Sequence, residues 1–266
     1  MAGLVLNSSS VFQLNFSAKL KFSASISATS PSRKTLYAIL NAITNMNDYY
    51  KQPKLLQWIE AILFLLVGIV GGIVIIEKGY SQPAFYLFFL IYVPISQFAF
   101  TPFFRLVSIY RYYSPMLLGY MPNDIQIDLH SGGSFDYLFV MRKFNVGVEI
   151  RNKLLMYHLE GIVYLIKQIE NKSIPDTVEL VGTSYFFNNR TLHKMGFEIS
   201  NPSLFYRLNL FVNFIDLIWM YSISRGKFSI PKLWKAKKAS ITGIKLIESK
   251  KQIEELYEKL KTKSIA

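Results

Sequence analysis

Five polar side chains gathered about a double glycine are the densest candidate for chemistry in the sequence. They are Asp128, His130, Ser131, Ser134 and Asp136, around Gly132-Gly133. A histidine beside serines and carboxylates has the residue types of nucleophilic catalysis: His130 as base, a serine as nucleophile, a carboxylate orienting the imidazole. That chemistry needs a rigid nucleophile turn, and no G-x-S-x-G pattern occurs in the chain. A second reading pairs His130 with Asp136 and rests on a family comparison made below. A third reading is structural. Ser131-Gly132-Gly133-Ser134 has the composition of a hairpin turn, with the flanking Asp and His solvated or bonding the turn backbone. Turn chemistry explains the composition unaided, so the structural reading leads.

Other chemistries are narrowed by composition. Cysteine is absent, which excludes disulfides, cysteine nucleophiles and thiolate metal sites. The three histidines, His130, His158 and His193, show no pairing on one helix face, so no metal site is expected.

The elements that must position these residues begin with two long apolar runs, Leu55 to Ile76 and Ala84 to Phe104. Each has roughly the 20 residues needed to cross a bilayer as a helix. Glu60 is the one charge in the first run, and the second has none before Arg105. Gly68, Gly71 and Gly72 fall near one helix face, where small residues let a second backbone approach. The expectation is a two-helix transmembrane hairpin within residues 46–112 that makes the protein membrane-anchored. Lys51, Lys54, Arg105 and Arg111 flank it, so both outer ends are expected on the cytoplasmic, or organelle-negative, side. The formal net charge of +13 is then read as attraction to anionic lipid. Nucleic acid is disfavoured as a partner, because no basic helix or aromatic-basic interleaving is present.

Before the hairpin, residues 1–45 are rich in serine, carry Lys19, Lys21, Arg33 and Lys34, and have no acidic residue. This composition fits an organelle transit peptide or a disordered extension. After the hairpin, residues 115–200 read as a small α+β domain. Ile125, Ile127 and Leu129 alternate with Gln126, Asp128 and His130, which predicts a half-buried strand. The double glycine predicts a turn into a second strand, Phe135 to Met141. Arg151 to Glu170 has helical apolar spacing. Val178 to Val181 predicts a short strand, Asn188 to Met195 a short helix capped by Gly196, and Phe197 to Ile199 a closing strand.

Residues 204–223 form a third apolar stretch with a polar stripe at Asn209, Asn213 and Asp216. A crossing here would put Lys232, Lys235, Lys237 and Lys238 on the wrong side, so an interfacial or packed helix is expected. Those four lysines are the candidate lipid-binding residues. Residues 230–266 read as a basic tail with a C-terminal amphipathic helix over 244–263.

One family comparison is negative and one is a partial resemblance. Membrane lysophospholipid acyltransferases place four residues between a histidine and an aspartate, whose carboxylate orients the imidazole that deprotonates the acceptor hydroxyl; His130 and Asp136 have five between them, and a one-residue slip redirects a side chain, which counts against that family. The stretch VELVGTSYFFNNRTLHKMGFEI, Val178 to Ile199, together with the long helix before it, resembles the C-terminal half of the GNAT acyltransferase superfamily. Gly196-Phe197 stands where that family joins its last helix to the closing strand. The resemblance implies acyl-coenzyme A between splayed strands, with its pyrophosphate at the start of the long helix, near Asn145 and Gly147. It also implies Tyr185 or His193 as acid or base. The family's glycine-rich loop is reduced here to Asn145-Val146-Gly147-Val148-Glu149, and the position of its usual acidic tyrosine is Leu192. The functional expectation is therefore a membrane-anchored α+β domain that binds a protein partner or anionic lipid headgroups without a cofactor. The alternative is a membrane-bound GNAT-like N-acyltransferase using acyl-coenzyme A.

Overall fold

The computed structural model describes residues 46–184 and 189–263. Residues 1–45, and Tyr185 among the site candidates, lie outside the described residues. Of residues 1–49, what is described is the start of a 3-10 turn over Met46–Lys51; the described residues from Tyr50 on belong to one compact unit.

Helices α1 (Lys54–Ser81) and α2 (Phe89–Leu106), the latter led in by a 3-10 turn over Pro83–Phe88, pack against each other as a hairpin. Both are long and apolar enough to cross a membrane, and only 11% and 28% of their apolar windows are buried, unlike the core helix of a globule. Glycine lets the two backbones close up. The Tyr92 hydroxyl donates to the Gly68 carbonyl at 2.7 Å, and a Cβ on Gly72 would stand 2.7 Å from that same hydroxyl.

A six-stranded mixed sheet follows, in the order β1-β2-β3-β4-β6-β5. Its strands are β1 (Tyr110–Ser114), β2 (Leu117–Tyr120), β3 (Gln126–Ser131), β4 (Glu179–Ser184), β5 (Glu198–Ser200) and β6 (Lys237–Thr242). All pairs are antiparallel except β3 with β4, which is parallel. A parallel pair needs a long crossover, and the chain supplies it with α3 (Ser134–Asp136), a π-helical turn over Tyr137–Met141, and α4 (Val148–Glu170). Leu159, Ile162, Leu165, Ile166 and Ile169 of α4 face Leu117, Ile127, Leu180 and Ile241 of the sheet in the main core. Helix α5 (Asn189–Lys194) ends at Gly196, whose φ of +81° is the left-handed conformation expected of a glycine cap. The chain closes with α6 (Leu204–Val212), α7 (Phe214–Arg225), α8 (Gly243–Glu248) and α9 (Lys250–Lys263); Ile253 and Leu256 of α9 cover the far end of the main core.

Four expectations are corrected. Phe135 to Met141 is not the second strand of a hairpin. Gly133 and Asp136 start a helical turn instead, with the Tyr137 N–H donating to the Gly133 carbonyl at 3.0 Å, and the run buries Phe135, Tyr137, Phe139, Val140 and Met141. A short apolar run carries no reliable period, so packing decides its form. The sheet is not confined to residues 115–200. It begins at Tyr110, and β6, drawn from the basic tail, inserts between β4 and β5. The stretch 204–223 is two helices broken at Asn213. The C-terminal helix is likewise two, parted at Ser249.

The hairpin contact makes a prediction. Gly72→Leu drives a side chain into Tyr92 and costs roughly 1–3 kcal/mol as overpacking does. The detergent-solubilised protein should unfold at lower temperature, whereas Val74→Leu on the exposed face of α1 should leave the transition unchanged.

Candidate functional site

Strand β3 and the turn that ends it present the polar cluster. Alternation along a strand puts Asp128 and His130 on one face, and there His130 Nε2 lies 3.4 Å from Asp128 Oδ2. The Tyr206 hydroxyl, from α6, donates to the same Asp128 oxygen at 3.1 Å. Burial, then the Asp128 carboxylate, pushes that phenol up to about 12, so it stays a donor at neutral pH. Asp136 is elsewhere. It is fully buried and accepts from the Tyr50 hydroxyl at 2.5 Å, the Tyr112 hydroxyl at 2.8 Å and the Gly133 N–H at 3.0 Å. The Arg105 guanidinium stacks over both phenol rings, 3.9 Å from the Tyr50 centroid and 4.3 Å from that of Tyr112. Burial raises the Asp136 carboxyl above its ordinary range, while the tyrosines, Arg105 and the Gly133 N–H hold it down in part. The carboxylate nearest His130 is thus Asp128, not Asp136. Ser134 is engaged with a third acid, its hydroxyl donating to Asp216 of α7 at 2.5 Å. Desolvation raises Asp216 in turn, and Ser134 partly offsets this.

The sheet opens beside this cluster. Strands β3 and β4 pair from Gln126 and Glu179 to Leu129 and Gly182. Beyond that, His130 and Ser131 pair with β2 alone, and Thr183 and Ser184 with β6 alone. The parallel strands therefore part at their C-terminal ends. A cavity of about 620 Å³ occupies the opening, a volume in the range of small-molecule sites. Its apolar walls come from Leu129, Leu154, Leu155 and Ile162; its polar wall comes from Asp128, His130, Ser134, Tyr206 and Asp216. Gln97, Phe98, Thr101 and Phe104 of α2 line it too. His158, on α4, also lines the cavity, its Nδ1 2.7 Å from the Leu154 carbonyl; burial holds its pKa below the usual histidine value.

The remaining candidates fall apart in space. Asn145 is exposed, and its N–H and Nδ2 donate to Glu149 Oε2 at 3.1 and 2.6 Å. The Gly147 N–H donates to the Ile223 carbonyl at 2.8 Å, where α4 starts against the end of α7. Neither residue lines the cavity. His193 is exposed on α5, also outside the lining. The lysines stand on two elements: Lys232 and Lys235 flank the exposed Trp234, while Lys237 and Lys238 sit within β6 and Lys237 Nζ donates to Asn201 Oδ1 at 2.8 Å. Among the described residues no cluster of His, Asp and Glu has the arrangement of a metal site.

Sequence reasoning passed over Tyr206, Tyr50 and Tyr112, and read Asp216 only as part of a polar stripe and Arg105 only as a charge flanking the hairpin. The i, i+2 spacing of Asp128 and His130 was the available signal for the first pairing. The hydrogen bonds that gather the tyrosines and Asp216 have no such signal, since they span 24 to 86 residues of chain. Comparison of the chain with family models, curated proteins and solved structures returns no match.

Two outcomes follow. Tyr112→Phe leaves the buried Asp136 carboxylate one donor short and should destabilise the protein by about 1–3 kcal/mol, read from the unfolding transition. His158 titrates lower folded than unfolded, so its contribution is fully present above the unfolded histidine pKa and is lost as pH falls through the folded one. The unfolding temperature should drop on acidification below about 6.5, and less so in His158→Gln.

Proposed function

We propose that this is a membrane-anchored domain that binds an amphipathic, acyl-bearing ligand in the cavity between the parted ends of β3 and β4. The hairpin α1–α2 is read as a transmembrane anchor from its length, its apolar surface and the basic residues Lys51, Lys54, Arg105 and Arg111 at its outer ends. On that reading the α+β domain lies on the cytoplasmic, or organelle-negative, side. The observation that carries the ligand is the cavity itself. It has an apolar interior for a chain, a polar wall for a headgroup, and one side built by α2.

A second reading, GNAT-like acyl transfer, is favoured by a specific observation. A long helix, a strand, a short helix and a closing strand follow one another as that resemblance implies, and the sheet opens beside the long helix where an acyl thioester would lie. In this reading His130, oriented by Asp128, is placed to take a proton from an acceptor. The first turn of α4 weighs the other way. A pyrophosphate there would have to displace the Gly147–Ile223 bond and would meet Glu149.

The experiment is a titration of the full-length protein in lipid nanodiscs with NBD-labelled dodecanoic acid, against empty nanodiscs of the same lipid. Saturable 1:1 binding, abolished by Gly182→Leu, is the expected result. A Cβ at Gly182 would meet Leu129 only at ordinary contact distance, 3.4 Å from its carbonyl, so the larger side chain extends into the opening. Signal no greater than partition into empty discs rejects the ligand reading. Competition by coenzyme A alone favours the acyltransferase reading, and its absence at millimolar concentration removes it.

A further inference from the structure

Helix α6 is built inside out for a protein in water. None of its residues is buried, and Leu204, Leu208, Phe211 and Val212 stand exposed on its outer face, Leu204 at 74% and Phe211 at 66%. Its inner side carries the half-buried Tyr206 and Leu210, with Asn213 at its end; these line the cavity, as does Asn209, which is itself exposed. Large apolar side chains thus dominate the outward surface of the helix while Tyr206 and Asn213 turn toward the protein, the reverse of a water-facing amphipathic helix. The outer apolar surface does not stop at α6. The helix packs beside the turn Leu233–Lys235, where Trp234 is 75% exposed between Lys232 and Lys235. Aromatic and aliphatic side chains edged with lysine are the composition of a surface lying among lipid headgroups. Next along the chain, α7 packs on α2 of the hairpin, and both line the same cavity.

Inside the cavity, polar atoms wait for donors. Tyr137 is 3% exposed, and its hydroxyl has no hydrogen-bond partner among the described residues. Asp128 Oδ1, Thr183 Oγ1 and Asn213 Oδ1 are likewise buried without one, and all four residues line the cavity. Buried polar groups are nearly always bonded, so such a concentration points to a ligand that completes them. Asp128 Oδ1 and Asn213 Oδ1 can only accept, and the two hydroxyls can accept as well.

We infer that α6 is a roof lying in the leaflet, and that the cavity loads laterally beneath it with a bilayer lipid whose headgroup carries N–H or O–H donors. This rests on the ligand-binding reading above and adds the source and headgroup class of the ligand. The outer face of α6 sits in lipid, which removes the cost of exposing it. The polar inner face, with Asp128 and Tyr137, receives the headgroup, and the chains extend along Leu154, Leu155 and Ile162 toward α2.

Two measurements on the full-length protein test this. The chain has no cysteine, so single nitroxide labels at Leu208→Cys and Phe211→Cys report position without background, with Lys251→Cys on α9 as the aqueous reference. In nanodiscs containing anionic lipid, labels on α6 should be more accessible to oxygen than to a water-soluble nickel chelate, by several-fold relative to the reference. Equal accessibility at all three sites overturns the roof. For loading, the protein is released from nanodiscs of phosphatidylethanolamine or of phosphatidylcholine, which lacks headgroup donors, and bound lipid is counted by native mass spectrometry. One phosphatidylethanolamine per chain, retained at least tenfold over phosphatidylcholine and lost in Gly182→Leu, is the expected outcome. Equal retention of the two lipids overturns the headgroup assignment. Retention of neither, while NBD-dodecanoic acid still binds, overturns lateral loading and leaves the ligand-binding reading standing. Failure of the acid to bind as well counts against both.

Discussion

The structure turns on one buried carboxylate. Asp136 has no access to water, and an isolated ionised carboxylate in such a place costs far more than a fold of this size can absorb. It is tolerated because three donors converge on it and a guanidinium lies over the two phenols that supply two of them. The three donors and the guanidinium come from different parts of the chain: Tyr50 ahead of α1, Arg105 at the end of α2, Tyr112 on β1, and Gly133 at the end of β3. One carboxylate therefore ties both outer ends of the apolar hairpin to the first strand and to the turn beside the cavity. The same requirement explains why Gly132-Gly133 begins a helical turn rather than a hairpin. Asp136 must fold back onto the Gly133 N–H, and the chain after it then buries Phe135, Tyr137 and Phe139 against Phe98 and Trp219.

The cavity is a consequence of that geometry combined with a parallel strand pair. With Ser131 bound to β2 and Ser184 to β6, the ends of β3 and β4 separate, and the crossover through the π-helical turn sets Tyr137 at the edge of the gap. A π-helical turn costs regular hydrogen bonding and often marks a functional position. Here it carries Tyr137, whose ring packs on Trp219 and which also lines the space. Helices α6 and α7 close the gap with polar residues, and they hold there through Tyr206 on Asp128 and Asp216 on Ser134.

Legibility in the sequence varied with how local each signal was. The two apolar runs and the glycines within the first were readable because length, composition and small-residue spacing all lie within single helices. The α4 periodicity and the Gly196 cap were readable for the same reason. β1, with the sequence YRYYS, and β6, with KKASIT, carry too few apolar residues to stand out. β6 buries only Ala239 and Ile241, yet it pairs on both sides, and its lysines made it look like a solvated tail. Asp136 was legible as a polar residue near His130 but not as a residue bonded to a tyrosine 86 positions earlier.

The chain alone thus determined the apolar hairpin, its glycine face, the long amphipathic helix and the strand that carries Asp128 and His130, because each follows from residue types repeated over a few turns or pleats. Tertiary structure decided which carboxylate meets which donor, that a lysine-bearing segment enters the middle of the sheet, and that two parallel strands separate to form a cavity. These outcomes depend on contacts between segments far apart in the chain, where burial of a charge and completion of hydrogen bonds outweigh any local preference of the residues involved.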